Sequence, residues 1–151
     1  MGDSDHVESD CPVPSDTVAC RLQRIGRLQH LMLAAGLEQI GLHTGQEHAL
    51  SALLEHGPQT QAALAARTGV DTSTMCRTLQ RLERAGYVLR RPGETDRRTT
   101  VVAPTDAALA VRNRMSDVYH RTDDRLTAAL TDAERRELTR LLQKMIDSLA
   151  E

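Results

Sequence analysis

The stretch from Gln59 to Val102, QTQAALAARTGVDTSTMCRTLQRLERAGYVLRRPGETDRRTTVV, decides the fold of this chain. A short helical run after Thr60 buries Leu64 and stops at Gly69. Gly69-Val70-Asp71 then reads as a turn, with Asp71 or Thr72 capping a second helix that closes at Gly86. In that helix Met75, Leu79 and Leu82 recur at i, i+4 and i+7, so they share a face toward a core. The same helix carries Thr72, Ser73, Thr74, Arg77, Gln80, Arg81 and Arg84. Tyr87 to Arg91 and Thr99 to Val102 are rich in β-formers and are separated by Pro92-Gly93 and polar residues, which predicts a hairpin. This order is that of a winged helix-turn-helix, a scaffold for placing one helix in a DNA groove.

Charge follows the same stretch. The net charge is −2, yet residues 1–16 hold Asp3, Asp5, Glu8, Asp10 and Asp16 with no Lys or Arg, so the remainder carries +3. Between Arg67 and Arg98 eight arginines face four acids, Asp71, Glu83, Glu94 and Asp96. Such a concentration is the footprint expected of phosphate binding, against the plain alternative of a solvated basic face. Lys144 is the only lysine. Arginine suits bidentate phosphate and guanine contacts, although a G+C-rich genome leaves the same bias.

Other classes of function find little support. No G-x-S-x-G, H-E-x-x-H or dinucleotide fingerprint is present, and Gly36 to Thr44 lacks the lysine of a phosphate loop. No enzyme activity, cofactor or metal site is expected. Cys11, Cys20 and Cys76 are odd in number and lack C-x-x-C pairing, which fits a reducing cytoplasm. No apolar run approaches the ~18 residues of a membrane span, and the acidic N-terminus is unlike a signal peptide. A cytoplasmic protein without a membrane partner is the expectation.

Around the central stretch the chain divides into a disordered acidic tail (1–16), an N-terminal dimerisation helix (17–43), the winged helix-turn-helix lobe (44–104) and C-terminal dimerisation helices (105–151). The predicted class is mainly α with a small β-hairpin wing. Val18, Leu22, Ile25, Met32 and Leu33 lie near one face of the first helix, which stops by Gly41. Thr44 and Glu47 read as a capping box opening a helix with Ala49, Leu50, Leu53 and Leu54. Thr105 opens a long helix whose apolar positions run from Ala108 to Ala129. Thr131 and Glu134 cap a last helix with a broad stripe of Leu138, Leu141, Leu142, Met145, Ile146 and Leu149. With no Phe or Trp, and only Tyr87 and Tyr119, burial must come from many aliphatic side chains. Three amphipathic helices outside the lobe predict an intertwined homodimer, the alternative being a monomer folding them on itself.

These residues resemble the MarR family of bacterial transcriptional regulators. The resemblance rests on Gly41-Leu42-His43-Thr44-Gly45-Gln46, on Gln61 to Ala65 with Gly69 to Met75, on Arg81 to Val88, on Asp96-Arg97-Arg98 and on Thr105-Asp106, and covers about residues 17–150. It implies a homodimeric repressor on a pseudo-palindromic double-stranded DNA operator, with recognition helices in major grooves and wings at flanking minor grooves. It also implies a small-molecule effector, an organic acid or phenol by family analogy, in a cleft between the dimerisation helices and the lobe.

Individual roles follow. Thr72, Ser73 and Thr74 stand where short hydroxyls reach base edges or phosphates, with capping as the plain role of Thr72. Arg77 points away from the core face and is the candidate base contact. Arg81 holds phosphate or pairs with Glu83 or Glu94. Arg98 is the candidate minor-groove arginine, braced by an ion pair from Asp96. Arg90, Arg91 and Arg97 contact phosphate or solvent, and Gln61 meets phosphate at a helix N-terminus. Cys76 lies against the groove, where oxidation would add bulk or charge, or is simply a tolerated small residue. Cys20 lies close to the reactive cysteine of thiol-sensing relatives, which makes a redox-sensing repressor acting through Cys20 or Cys76 the alternative function. A winged-helix protein-interaction module without a specific DNA target is the alternative of another class. His30, His43 and His48 are expected near the effector pocket; with His56 they lack zinc-ligand spacing.

Overall fold

The computed structural model describes residues 16–150. The acidic tail, apart from Asp16, and Cys11 lie outside the described residues. Helices α1 (Val18–Glu38) and α2 (Gln46–His56) come first, followed by strand β1 (Gln59–Thr60), α3 (Gln61–Thr68) and α4 (Thr72–Arg84). The hairpin β2 (Val88–Pro92) and β3 (Thr100–Pro104) leads to α5 (Asp106–Leu126) and α6 (Asp132–Leu149). The sheet has three antiparallel strands in the order β1-β3-β2. Gln59 pairs with Val102, and Arg90 pairs with the same Val102 from the other side.

The lobe forms because local signals and burial agree. Thr60 accepts a hydrogen bond from the Ala63 amide and opens α3, and Gly69 closes it at φ +67°, a left-handed conformation that costs glycine little. Asp71, not Thr72, caps α4, accepting from the Thr74 amide at 2.9 Å. Met75, Leu79 and Leu82 are buried with Leu50, Leu53, Leu64, Val88 and Val102 in one core. Each fully buried aliphatic side chain contributes roughly 1.5–3 kcal/mol relative to exposure. The Thr105 hydroxyl donates to the Gly86 carbonyl at 2.6 Å, tying the start of α5 to the end of the recognition-type helix.

Several boundaries differ from the sequence expectation. Thr44 and Glu47 form no capping box. Gly45 takes φ +92° at the N-cap, so α2 begins only at Gln46 and Glu47 is turned into the interior. Gln46 reaches back instead, its Oε1 accepting from the His43 amide at 2.9 Å. The α5 helix ends at Leu126, short of Ala129, and the Thr127 hydroxyl donates to the Asp123 carbonyl at its close. The expected capping box of Thr131 and Glu134 is present at the head of α6.

Outside the lobe the packing thins. Helix α1 packs along α5, with Leu33 and Leu37 buried. At Gly36 an added Cβ would stand 2.6 Å from Val118 Cγ1, so the two helices approach too closely for any other residue to fit there without movement. Toward the other end of α1, Val18, Leu22, Ile25, Leu28 and Leu31 are exposed. Helix α6 has no buried residue at all. Its apolar stripe is open to solvent, with Ile146 at 59% and Leu149 at 84% exposure.

Candidate nucleic-acid interface

Burying Met75, Leu79 and Leu82 turns the opposite side of α4 outward. Thr72, Ser73, Thr74, Arg77, Arg81 and Arg84 are exposed there. The first turn is held by the Asp71 carboxylate, which also accepts from the Thr74 hydroxyl at 2.6 Å. These two bonds from Thr74, foremost its hydroxyl, hold the Asp71 carboxyl below its ordinary range. The Thr74 hydroxyl proton is thus committed, and Ser73 adds weaker hydrogen bonds to the same carboxylate. Cys76 is half-buried and accepts a weak hydrogen bond from Gln80 Nε2 at 3.7 Å.

The hairpin lies beside this helix, joined to it by one ion pair. Arg90 Nε and Nη2 both donate to Glu83 Oε2, at 3.0 and 2.7 Å. The hydrogen bond holds the Glu83 carboxyl below its ordinary range and Arg90 above its own. Arg90 is therefore engaged as a half-buried strut between β2 and α4. Arg81, in turn, pairs with neither Glu83 nor Glu94. Among the described residues no ion pair involves Arg77, Arg81, Arg91, Arg97 or Arg98.

At the wing tip the expected Asp96–Arg98 ion pair is replaced by a backbone bond. Asp96 Oδ1 accepts from the Arg98 amide at 2.9 Å, and the Asp96 carbonyl accepts from the Thr99 amide and hydroxyl. An aspartate two residues back folds the turn in this way without touching the guanidinium. Arg97 and Arg98 are left exposed at the end of the hairpin. Gln61 is half-buried at the first position of α3, where the amides point outward.

The remaining candidates scatter. Cys20 is buried in α1, its amide capped by the Thr17 hydroxyl. His30, His43 and His48 are exposed on α1, the α1–α2 turn and α2. None of them lines the cleft of about 330 Å³ between α2 and α5, whose walls are Ser51, Leu54, Glu55, Arg112, Met115, Ser116 and Tyr119. His48 stands about 60° round α2 from Ser51, and its side chain is exposed outside the cleft lining. Among the described residues no group of three His, Cys, Asp or Glu is placed to hold a metal. No helix among them is long and apolar enough to cross a membrane.

Two kinds of comparison bear on this arrangement. A stretch of 99 residues, 66% of this chain, is 34% identical to the HTH-type transcriptional repressor NicR of Pseudomonas putida. The chain spans 63% of that relative's length, and 56% and 52% of two Bacillus subtilis regulators it also matches. In fold, the reduced form of MarR from E. coli superposes with a TM-score of 0.78 at 24% identity, covering 85% of this chain and 96% of that one. A mutant of the same protein complexed with operator DNA gives 0.74 at 23% identity, covering 84% and 91%. Residues 40–99, from just after α1 to the wing tip before β3, match the MarR family model. Helix order, wing and sequence thus agree in their likeness to the MarR family.

Proposed function

We propose that this protein is a transcriptional regulator that binds a double-stranded DNA operator as a homodimer, represses from it, and releases it when a small molecule enters the α2–α5 cleft. The observation that carries this reading is the shared outer surface of α4 and the hairpin. Arg77 and Arg81 stand on the helix, Arg97 and Arg98 on the wing tip, and none is engaged in an ion pair among the described residues. Arginines that are already paired have to break a contact before meeting phosphate; these do not. In this reading Arg77 contacts a base edge and Arg98 enters a narrow minor groove. The neighbour solved with operator DNA has the same fold, which supports a similar docking.

The homodimer is supported by the helices that have no core of their own. A monomer leaves the exposed apolar residues of α1 and of α6 in water, and exposed apolar surface of this kind marks association sites. A second copy would double the DNA-binding lobe and present two recognition helices to successive half-sites. The cleft joins α2 of the lobe to α5, so occupancy there is suited to changing how the two parts sit.

The test is binding of the purified protein to its own upstream intergenic duplex and to an unrelated duplex, at two salt concentrations. Selective binding whose log–log salt slope rises by roughly 0.9 per neutralised phosphate is expected. Absence of binding to either duplex at low salt would leave a winged helix used for protein interaction.

A further inference from the structure

Glu47 is a buried acid with one carboxylate oxygen that no donor answers. It lies in the first turn of α2 and is 1% exposed. Oε1 is 3.5 Å from Nε2 of the exposed His48, while Oε2 is buried and has no hydrogen-bond partner. The positive end of the α2 dipole offsets part of the burial cost. A desolvated carboxylate oxygen without a donor remains unfavourable, and native proteins keep such groups rarely.

Its position connects it to the cleft. Glu47, Ser51, Leu54 and Glu55 follow i, i+4, i+7 and i+8 along α2, so they share one face of the helix. The last three line the cleft. Across from them on α5, Tyr119 lines the same cleft, and its phenol is made harder to ionise by burial first and by the Glu47 charge second. The cleft walls offer Leu54, Met115 and the Tyr119 ring to an apolar body, and the Ser51 and Ser116 hydroxyls to polar groups. Its charges are Glu55 on one wall and Arg112 on the other. With Glu47 behind that wall, α2 presents two carboxylates against one guanidinium.

We infer that the α2–α5 cleft takes a small arylalkyl amine, its ammonium donating to Glu47 Oε2 and its ring lying on Leu54, Met115 and Tyr119. This rests on the proposal that the cleft is an effector site, and it replaces the organic acid or phenol suggested by family analogy with a cation. Entry is by rotation of Tyr119, the residue common to the cleft wall and to the surroundings of Glu47. The incoming ammonium supplies the missing donor, and a charge-assisted bond in a dry site is stronger than a neutral one. An anionic head in the same place would face Glu47 and is disfavoured.

The experiment titrates the full chain by calorimetry with benzylamine, benzyl alcohol and benzoate, which share a ring and differ in the head group. Benzylamine is expected to bind about tenfold or more tightly than the other two, the difference of a charge-assisted contact. Glu47→Gln keeps the side-chain volume, removes the buried charge and should bring benzylamine down to the level of benzyl alcohol. Ser116→Trp fills the cleft while leaving Glu47 intact, and should abolish binding of all three. Benzoate binding as tightly as benzylamine overturns the inference, as does an affinity for benzylamine that neither variant changes. So does a Glu47→Gln variant that alters self-association and not amine binding, because the missing donor then comes from a second copy. Operator release is measured separately. Glu47-dependent amine binding without release sustains the site and removes the effector reading; release by benzoate alone does the reverse.

Discussion

The α2-to-β3 lobe and helix α6 are built on opposite plans. In the lobe, Leu50, Leu53, Leu64, Leu79 and Leu82 are fully buried within a single chain. In α6, six apolar residues repeat with good helical spacing, the N-terminus carries a complete capping box, and nothing is buried. Helix stability in proteins comes mostly from packing an apolar face. Helix α6 has local signals for forming and polar ties from Arg135 to Asp123 and Asp124 of α5, but no buried apolar contact within the described chain. The lobe has a core; α6 has an apolar stripe with no residue buried. The difference teaches that the apolar pattern of a sequence reports burial without saying by which chain.

The most severe way to break the comparison is to charge the α6 stripe. Leu141→Glu combined with Ile146→Glu is expected to convert a dimer wholly to monomer in sedimentation at micromolar concentration, with the lobe still folded. A dimer that survives both changes would show that α6 serves something other than self-association. In the lobe, Leu79→Ala should lower stability by roughly 2–5 kcal/mol through lost transfer energy and a cavity. Thermal denaturation reads it directly, and a shift equal to that of Leu138→Ala on the exposed helix would erase the contrast between the regions.

The smaller effects sharpen the functional surface. Arg77→Ala should cost about 1–3 kcal/mol of discrimination between the operator and a duplex altered at the contacted base pair. Arg98→Ala should weaken all A-tract-flanked sites together and lower the salt slope by roughly one phosphate's share. Equal losses on every duplex for both variants would assign both residues to phosphate. The least effect concerns Asp71. Its folded carboxyl is held below the ordinary value of 3.8, so its contribution is present above that value and fades as pH falls through the lower folded one. Asp71→Asn should therefore flatten the lowest part of the acid-unfolding curve without moving stability at neutral pH by the same mechanism. An unchanged acid limb would detach the cap from that curve.

Much of this was legible because several levels of the sequence agree at the same residues. The face of Met75, Leu79 and Leu82, the glycine at Gly69 and the capping residues Thr60, Asp71, Thr105 and Thr131 all name their roles by spacing and chemistry. What escaped did so for physical reasons. Strand β1 is two residues long, too short for any alternation, and exists only because β3 lies beside it. The T-x-x-E pattern at Thr44 misleads because Gly45 adopts a positive φ and delays the helix. Asp96 carries the right chemistry, but its short side chain finds the nearby amide before it finds the Arg98 guanidinium. Arg90 and Glu83 are seven residues apart on different elements, so their pairing belongs to the fold and has no local signature. The buried Glu47 defies the usual reading of a helical acid as a cap or a solvated charge.

The Arg90–Glu83 strut has a further consequence for how a duplex is measured. Because helix and wing are pinned to each other, they act like the two jaws of a caliper set at one opening. A groove that is too wide or too narrow at the wing would be felt at the helix, since neither jaw can adjust alone. Loss of the strut through Arg90→Ala would let each jaw settle independently, and the energetic effects of changing the central and flanking base pairs would become additive.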